Sequence, residues 1–298
     1  MSGAPAFDDW MRARAERTER ALEALLPPAT QAPARLHEAM RYAVLGAGKR
    51  VRPLLVHAAG ELVGASAGAL DAAACAVECI HAYSLVHDDM PCMDNDVLRR
   101  GKPTVHVQYG QAQAMLAGDA MQALAFEVLT PDAGVPPALQ ARLCALLARA
   151  AGHAGMAGGQ AIDLVSIGLP LDERTLRDMH HRKTGALLQA SVLMGAACGT
   201  TTPAAWQALA EYGDAIGLAF QVVDDILDVT QESETLGKTA GKDATDNKPT
   251  YVTVLGLDAA RRHAAELRDI ALAALARSGL AQAAWLSLLA DRIVERES

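Results

Sequence analysis

The chain is patterned as a succession of helical segments. Apolar residues recur at the three- and four-residue spacing of a helix, and short stretches rich in Gly and Pro separate the runs. No run alternates apolar and polar positions as a half-buried strand would. The pattern predicts an all-α protein of about ten helices, at 8–26, 34–47, 53–63, 69–90, 110–129, 137–154, 173–198, 204–230, 258–277 and 281–296.

Composition strengthens this prediction. Of the 298 residues, 51% are hydrophobic and only 4% aromatic, and 62 are alanine, the residue with the highest helix propensity. The chain has no repeat, low-complexity linker or change in composition. Residues 1–298 are therefore expected to form a single domain, a helical bundle.

Charge and cysteine usage narrow the class of protein. A net charge of −8 argues against a nucleic-acid partner, which would require a basic face. No signal-like apolar segment begins the chain, and no run approaches 18 uninterrupted apolar residues, so we expect no membrane span. The five cysteines are odd in number and lie in apolar segments, as expected of a cytoplasmic protein without disulfides. Cys75 and Cys79 are four residues apart, but no second pair completes a zinc site.

The end of the predicted helix 69–90 carries the first candidate site. Asp88, Asp89, Asp94 and Asp96 lie within nine residues, directly after the apolar sequence VECIHAYSLVH. Carboxylates so close together repel one another unless a cation is present, and hard oxygen ligands suit Mg²⁺, which also binds phosphate oxygens. The alternative is an exposed acidic helix end, which fits poorly because the sequence upstream is typical of a core helix.

A second acidic cluster ends the predicted helix 204–230. Asp224 and Asp228 are four residues apart and share a helix face, with Asp225 beside them. Two such clusters, more than 130 residues apart in sequence, predict two walls of one metal-lined cavity. Calcium-binding EF-hand loops are set aside because neither cluster has the glycine that such a loop needs at its sixth position.

Basic segments complement the acidic clusters. They are GKRVRP at 48–53, RRG at 99–101, HRKTG at 181–185 and the lysines between 237 and 251. Any one of them is normally a solvated surface. Together with the aspartates they predict a pair of anionic substrates whose diphosphate groups bind Mg²⁺, Lys and Arg.

Six motifs now resemble, in order and spacing, those of the trans-isoprenyl diphosphate synthases, in particular the bacterial farnesyl diphosphate synthases. They are GKRVRP, HDDMPCMDNDVLRRGKPT, GGQAIDL, RKTGAL, GLAFQVVDDILD and GKTAGKD, between about residues 36 and 256. The resemblance implies a homodimeric all-α fold around a deep central cavity. It also implies a Mg²⁺-dependent head-to-tail condensation of isopentenyl diphosphate with dimethylallyl or geranyl diphosphate, giving farnesyl diphosphate and diphosphate.

The resemblance further implies a role for each matching residue. Three Mg²⁺ ions, which Mn²⁺ would be able to replace, would bind the allylic diphosphate through Asp88, Asp94 and Asp224. Indirect support would come from Asp89, Asp225 and Asp228. The same diphosphate would contact Arg99, Lys183, Lys238 and Lys248. Isopentenyl diphosphate would bind without metal to Lys49, Arg52, His81 and Arg100. The allylic cation would lie near Thr184 and Gln221, which with Lys183 complete the expected catalytic residues.

Product length depends in this family on the helix that ends at Asp88. Tyr83 lies five residues upstream, about 7.5 Å deeper by helical rise, where its ring would stop the chain at fifteen carbons. The alternative is that Tyr83 is an ordinary core aromatic residue. Pro91 and Cys92, inserted between the aspartates, do not decide the product, because relatives that make twenty-carbon products share PCMDND.

Other functions remain as alternatives. A geranyl or geranylgeranyl diphosphate synthase would carry the same motifs. A class I terpene cyclase would lack GKRVRP and replace the second acidic motif by an Asn/Ser/Glu triad, and a non-catalytic subunit would lose aspartates from one motif. Both motifs are intact here, which favours the chain-elongating synthase.

Overall fold

The computed structural model describes residues 3–46, 48–169, 171–230 and 249–296. Within these ranges the helices are α1 (Gly3–Leu25), α2 (Ala34–Val44), α3 (Val51–Leu62), α4 (Ala67–Asp88), α5 (Val105–Tyr109), α6 (Gln111–Glu127), α7 (Pro137–Ala151), α8 (Met156–Val165), α9 (Glu173–His180), α10 (Ala186–Ala197), α11 (Pro203–Thr230), α12 (Tyr251–Leu255), α13 (Leu257–Arg277) and α14 (Ala284–Val294). A π-helical turn, His181–Gly185, joins α9 to α10. The antiparallel strands β1 (Leu98–Arg99) and β2 (Lys102–Pro103) are two residues long.

The prediction of an all-α fold is confirmed, and the long predicted helices appear with shifted ends. The predicted helix 173–198 differs most, because the π-turn interrupts it. The short helices α5, α8 and α12 were not predicted. In α8 the pair Gly158-Gly159 lowers helix propensity, so this helix depends on packing against the π-turn.

The core is centred on α4. This helix is largely apolar and packs against α1, α2, α3, α6 and α10. Among the described helices it alone is long and apolar enough to cross a membrane, with a mean hydropathy of 1.3 over an 18-residue window. Of that window, 72% is buried inside the protein, so its apolar surface contacts neighbouring helices.

Small residues let the long helices approach one another closely. Where α3 meets α10, a Cβ atom on Gly195 would lie 2.2 Å from the carbonyl oxygen of Val56. A side chain there would push the two helices apart. Close contacts of this kind allow a chain with few aromatic residues to reach native packing density.

The first and last helices meet at an aromatic cluster. The rings of Phe7 and Trp10 in α1 stack on Trp285 in α14, at 5.8 Å and 5.4 Å between centroids. Trp10 Nε1 also donates a hydrogen bond of 3.0 Å to Glu61 in α3. The cluster therefore joins α1, α3 and α14.

Candidate active site

A cavity of about 530 Å³ lies between the ends of α4 and α11. It brings together nine of the predicted site residues: Arg52, His81, Asp88, Asp94, Arg99, Lys183, Thr184, Gln221 and Asp224. Asp228 lines it as well. The two acidic clusters, distant in sequence, thus face one space.

The loop after α4 folds back on the helix end. The backbone N–H of Asp94 donates to the carbonyl of Asp88 at 2.8 Å, so both carboxylates reach the same wall. Burial raises the pKa of Asp88 to about 6, and the negative charge of Asp94 adds to this effect while Lys183 opposes it. A cation bound here would lower that pKa.

Arg99 reaches the cavity from β1 and is held by Asp89. Arg99 Nη2 donates to Asp89 Oδ1 at 2.5 Å and Nε donates to Asp89 Oδ2 at 3.0 Å, and Asp89 is 3% exposed. Asp96 lies 3.5 Å from Nη2. A buried bidentate pair fixes a guanidinium in place, so Asp89 orients the predicted diphosphate ligand.

The π-turn presents Lys183 and Thr184 to the cavity. Lys183 Nζ donates to the buried carboxylate of Asp163 in α8 at 2.6 Å. A Cβ atom on Gly159 would lie 2.2 Å from the backbone nitrogen of Lys183, so α8 can pack here only with glycine at that position. The motif GGQAIDL thereby positions Lys183.

A chain of hydrogen bonds runs from Thr184 into the interior. Thr184 Oγ1 donates to Gln221 Oε1, and Gln221 Nε2 donates to Asp225 Oδ1, each at 2.8 Å. The backbone N–H of Tyr251 donates to the other oxygen of Asp225 at 2.8 Å. Asp225 is 1% exposed, so it anchors Gln221 and the start of α12 instead of lining the cavity.

The four residues predicted for isopentenyl diphosphate are divided among neighbouring cavities. Arg52 and His81 line the main cavity, whereas Lys49 lines an adjoining one of about 800 Å³. Phe220 lines both cavities and lies between them. Arg100 lines a third, of about 60 Å³, next to Asp89 and Arg99. The structure thus places two of the four residues at the main cavity, and the assignment of all four to isopentenyl diphosphate stays a prediction.

Positive charge is concentrated on this side. Burial lowers the pKa of Arg52 to about 10. The negative charge of Glu78 opposes this shift, and the positive charge of Arg100 adds to it. The Arg52 guanidinium therefore stays charged at neutral pH. Burial, followed by the charge of Arg52, lowers the pKa of His81 well below its ordinary value, so His81 is neutral. Burial and the charge of Arg296 also lower the pKa of Lys49. These positively charged side chains repel one another, and an anion bound here would offset that repulsion.

The acidic walls fit a magnesium ion that is also bound by substrate. In the part of the chain that the structure describes, no three His, Cys, Asp or Glu side chains group as a metal site by themselves. Asp88, Asp94 and Asp224 supply hard oxygen donors from two sides of the cavity. Mg²⁺ typically binds through one or two carboxylates and takes its other ligands from phosphate and water. The predicted residues Lys238 and Lys248 lie outside the described residues.

Sequence reasoning missed three charged groups near the cavity. Arg296 Nη2 donates to the carbonyl of Phe220 at 2.8 Å and to Asp224 Oδ1 at 3.2 Å, and its guanidinium stacks on the Phe220 ring. Nothing in the sequence marked this arginine. Asp163 lay in a quoted motif without a role, and Glu78 was visible as a single charge within an apolar helix.

Known proteins resemble this chain over nearly its whole length. The polyprenyl synthetase family model matches residues 33–284. The farnesyl diphosphate synthase of Escherichia coli is 46% identical over 299 residues, which cover 97% of this chain and 99% of that protein. The chloroplastic geranylgeranyl pyrophosphate synthase of Capsicum annuum is 50% identical over 265 residues, 88% of this chain and 72% of that one.

A solved structure shares the fold. The geranyltransferase of Helicobacter pylori, in complex with magnesium and isoprenyl diphosphate, has a TM-score of 0.84 and 33% identity, covering 96% of this chain and 95% of that one. These similarities confirm the resemblance drawn from the six motifs. With both acidic clusters and their basic neighbours gathered around one cavity, the chain belongs to the polyprenyl synthetase family and is a prenyltransferase that elongates prenyl diphosphates.

Proposed function

We propose that this prenyltransferase condenses isopentenyl diphosphate with dimethylallyl or geranyl diphosphate and releases farnesyl diphosphate. The observation that carries the proposal is the shared cavity, which is lined by the carboxylates Asp88 and Asp224 together with the basic groups Arg52 and Lys183. The full-length similarity to the Escherichia coli farnesyl diphosphate synthase supports the fifteen-carbon product. The similarity to the Capsicum annuum enzyme favours a twenty-carbon product as the second candidate.

The acidic walls would hold the metal. Asp88, Asp94 and Asp224 bind Mg²⁺ in this proposal, three ions per site, and Mn²⁺ is able to replace them. When bound, Mg²⁺ neutralises charge on the leaving diphosphate and so favours ionisation of the allylic carbon–oxygen bond. The magnesium in the Helicobacter pylori relative supports this assignment.

Hydrogen bonds to buried carboxylates hold two basic residues of the proposed allylic site in place before a substrate binds. Lys183 is held by Asp163 and Arg99 by Asp89, so neither cation loses much freedom when it binds a diphosphate. Lys238 and Lys248 complete this set in the proposal. The hydrogen-bonded pair Thr184–Gln221 lines the same cavity, and its oxygen atoms stabilise the allylic cation in this proposal.

The second substrate would bind at Arg52 and His81, with Lys49 and Arg100 at its border. Its double bond attacks the allylic carbon, a carbon–carbon bond forms, and the released diphosphate takes up the proton that is lost. Water must be kept from the cation. Apolar residues that also line the cavity serve this purpose: Leu85, Met93, Met156, Ala157, Ala161 and Leu164.

Assembly, location and domain organisation complete the proposal. Val107, Met115 and Leu116 on α5 and α6 are about half exposed, which supports burial of this face in a homodimer. All five cysteines are free thiols, which supports a cytoplasmic location. The aromatic contact between α1 and α14 supports a single domain over residues 1–298.

Removal of one carboxylate from either acidic wall tests the metal assignment. Asp88→Ala and Asp224→Ala should fold but lose turnover by about a hundredfold or more, because each loses a ligand for the ions that stabilise the leaving group. The measurement is kcat at saturating Mg²⁺, with circular dichroism as the folding check. Asp119→Ala, on an exposed carboxylate of α6, is the control. Wild-type turnover in either folded variant contradicts the assignment.

The raised pKa of Asp88 predicts a pH-dependent stability. Without divalent cations, the ionised carboxylate destabilises the folded protein above pH 6, and this cost fades as the pH falls towards 4. Asp88→Asn should therefore raise the free energy of unfolding at pH 8 by about 1–3 kcal/mol and leave it nearly unchanged at pH 4. Denaturant unfolding at both pH values measures this, with Asp119→Asn as the control. An equal effect at both pH values would contradict the prediction.

The two diphosphate sites should respond separately. Lys49→Ala and Arg52→Ala should raise KM for isopentenyl diphosphate about ten- to a hundredfold, and KM for geranyl diphosphate much less, because charge-assisted contacts are lost at one site. Steady-state kinetics with each substrate varied in turn decides this. A larger change for geranyl diphosphate means that the sites are assigned the wrong way round.

Tyr83 is the proposed floor of the product channel. It lines the cavity, packs edge-on against His87 at 5.7 Å and accepts a hydrogen bond from Gln122 at 3.5 Å. Tyr83→Ala should retain activity and shift the product to twenty carbons or more, because the ring is removed and the acidic walls are untouched. Tyr83→Phe keeps the ring and should still give fifteen carbons. Chromatography of the products decides, and an active Ala variant that stops at fifteen carbons means that another residue sets the length.

A further inference from the structure

Arg50, in the middle of GKRVRP, turns away from the cavity that its neighbours border. Its side chain is 3% exposed and lies between two carboxylates. Nη1 donates to Glu78 Oε1 and Nη2 to Glu19 Oε2, both at 2.5 Å. Neither Glu19 nor Glu78 lines the main cavity. The sequence analysis placed Arg50 in a basic segment but gave it no ligand role of its own, and its guanidinium is used inside the protein.

Arg50 and Glu19 also make hydrogen bonds with the backbone of the segment between α2 and α3. Arg50 Nη2 donates to the carbonyls of Val44 and Gly46 at 2.7 Å and 3.2 Å, and the N–H of Gly46 donates to Glu19 Oε1 at 2.7 Å. Arg50 itself has a left-handed backbone, with φ of 50°, immediately before α3 begins. Glu19 is in α1 and Glu78 in α4, so the turn is tied to two helices.

Glu78 also acts as a counter-charge behind the basic wall. Its negative charge raises the pKa values of Arg52 and Arg100, against the lowering that burial causes at both. Three arginines, at positions 50, 52 and 100, thus share this buried carboxylate. Without it, their mutual repulsion would favour an open arrangement of the turn.

We propose that Arg50 is a positioning residue, whose ion triad with Glu19 and Glu78 holds Lys49 and Arg52 in place to bind isopentenyl diphosphate. Lys49 directly precedes Arg50 and Arg52 follows it by two residues, so an anchored backbone at Arg50 restricts the directions that both side chains can take. The triad itself does not contact the substrate. This inference rests on the proposed function of Lys49 and Arg52.

The test separates the two substrates. Arg50→Met keeps the length of the side chain and removes its charge, and Glu19→Gln weakens the triad while its amide oxygen can still accept from Gly46. KM for isopentenyl diphosphate should rise about tenfold in Arg50→Met and about threefold in Glu19→Gln, while kcat and KM for geranyl diphosphate stay within about twofold. Calorimetric binding of a non-reactive isopentenyl diphosphate analogue without Mg²⁺ should weaken by the same factors.

Arg17→Met is the matched control. Arg17 Nε and Nη2 donate to Asp71 at 2.6 Å and 2.8 Å, so this pair also joins α1 to α4, but neither residue lines the cavity. The variant should lower the melting temperature without changing either KM. An equal rise of both KM values in Arg50→Met, as in a general loss of structure, would overturn the proposal.

The remaining outcomes are also decisive. If Arg50→Met does not fold, Glu19→Gln decides, since Glu19 is at the half-exposed end of the triad and an unchanged KM for isopentenyl diphosphate there overturns the proposal. Lys49→Ala and Arg52→Ala, assayed beside these variants, test the underlying site. If they raise this KM and Arg50→Met does not, only the positioning role fails. If they leave it unchanged, the assignment of this wall to isopentenyl diphosphate fails.

Discussion

The site depends on one constraint: several carboxylates of like charge lie close together at the edge of an apolar helical bundle. Asp88 and Asp94 lie on one wall and Asp224 on another, and burial raises the pKa of Asp88 to about 6. Such a wall is destabilising by itself and becomes favourable when cations bind. Under the proposed function, this cost is offset when a metal–diphosphate complex binds between the acidic walls, and the apolar helices around them stabilise the fold.

Buried counter-charges keep the crowded groups in place. Three basic residues that line the main cavity have a carboxylate nearby: Asp89 for Arg99, Asp163 for Lys183 and Glu78 for Arg52. Glu78 also forms an ion pair with Arg50, which lies behind the cavity wall. The removal of one partner from a buried pair leaves the other charge uncompensated, which is strongly destabilising. These pairs therefore fix positions more than they add net stability, and they explain why so many charges are found at the ends of apolar helices.

The backbone contributes irregular geometry where the chemistry requires it. The π-turn between α9 and α10 aims Lys183 and Thr184 at the cavity, and Gly159 lets α8 approach that turn closely enough to supply Asp163. The left-handed residue Arg50 performs a comparable task before α3. An interruption of regular structure at these points directs side chains that a continuous helix would place elsewhere.

The sequence by itself determined the helical class and most helix positions, because helical periodicity is a property of neighbouring residues. Local charge density also led it to predict a metal-binding role for both acidic clusters. Six ordered motifs also determined the family. Only the tertiary structure decided where the charged side chains lie: Asp225 and Arg50 turn inward, Lys49 borders a separate cavity, and Arg296, two residues beyond the end of α14, reaches Asp224. The reason is physical. Whether a charged side chain faces a cavity or a buried partner depends on contacts between helices far apart in sequence. The spacing of residues along one helix gives no information about those contacts.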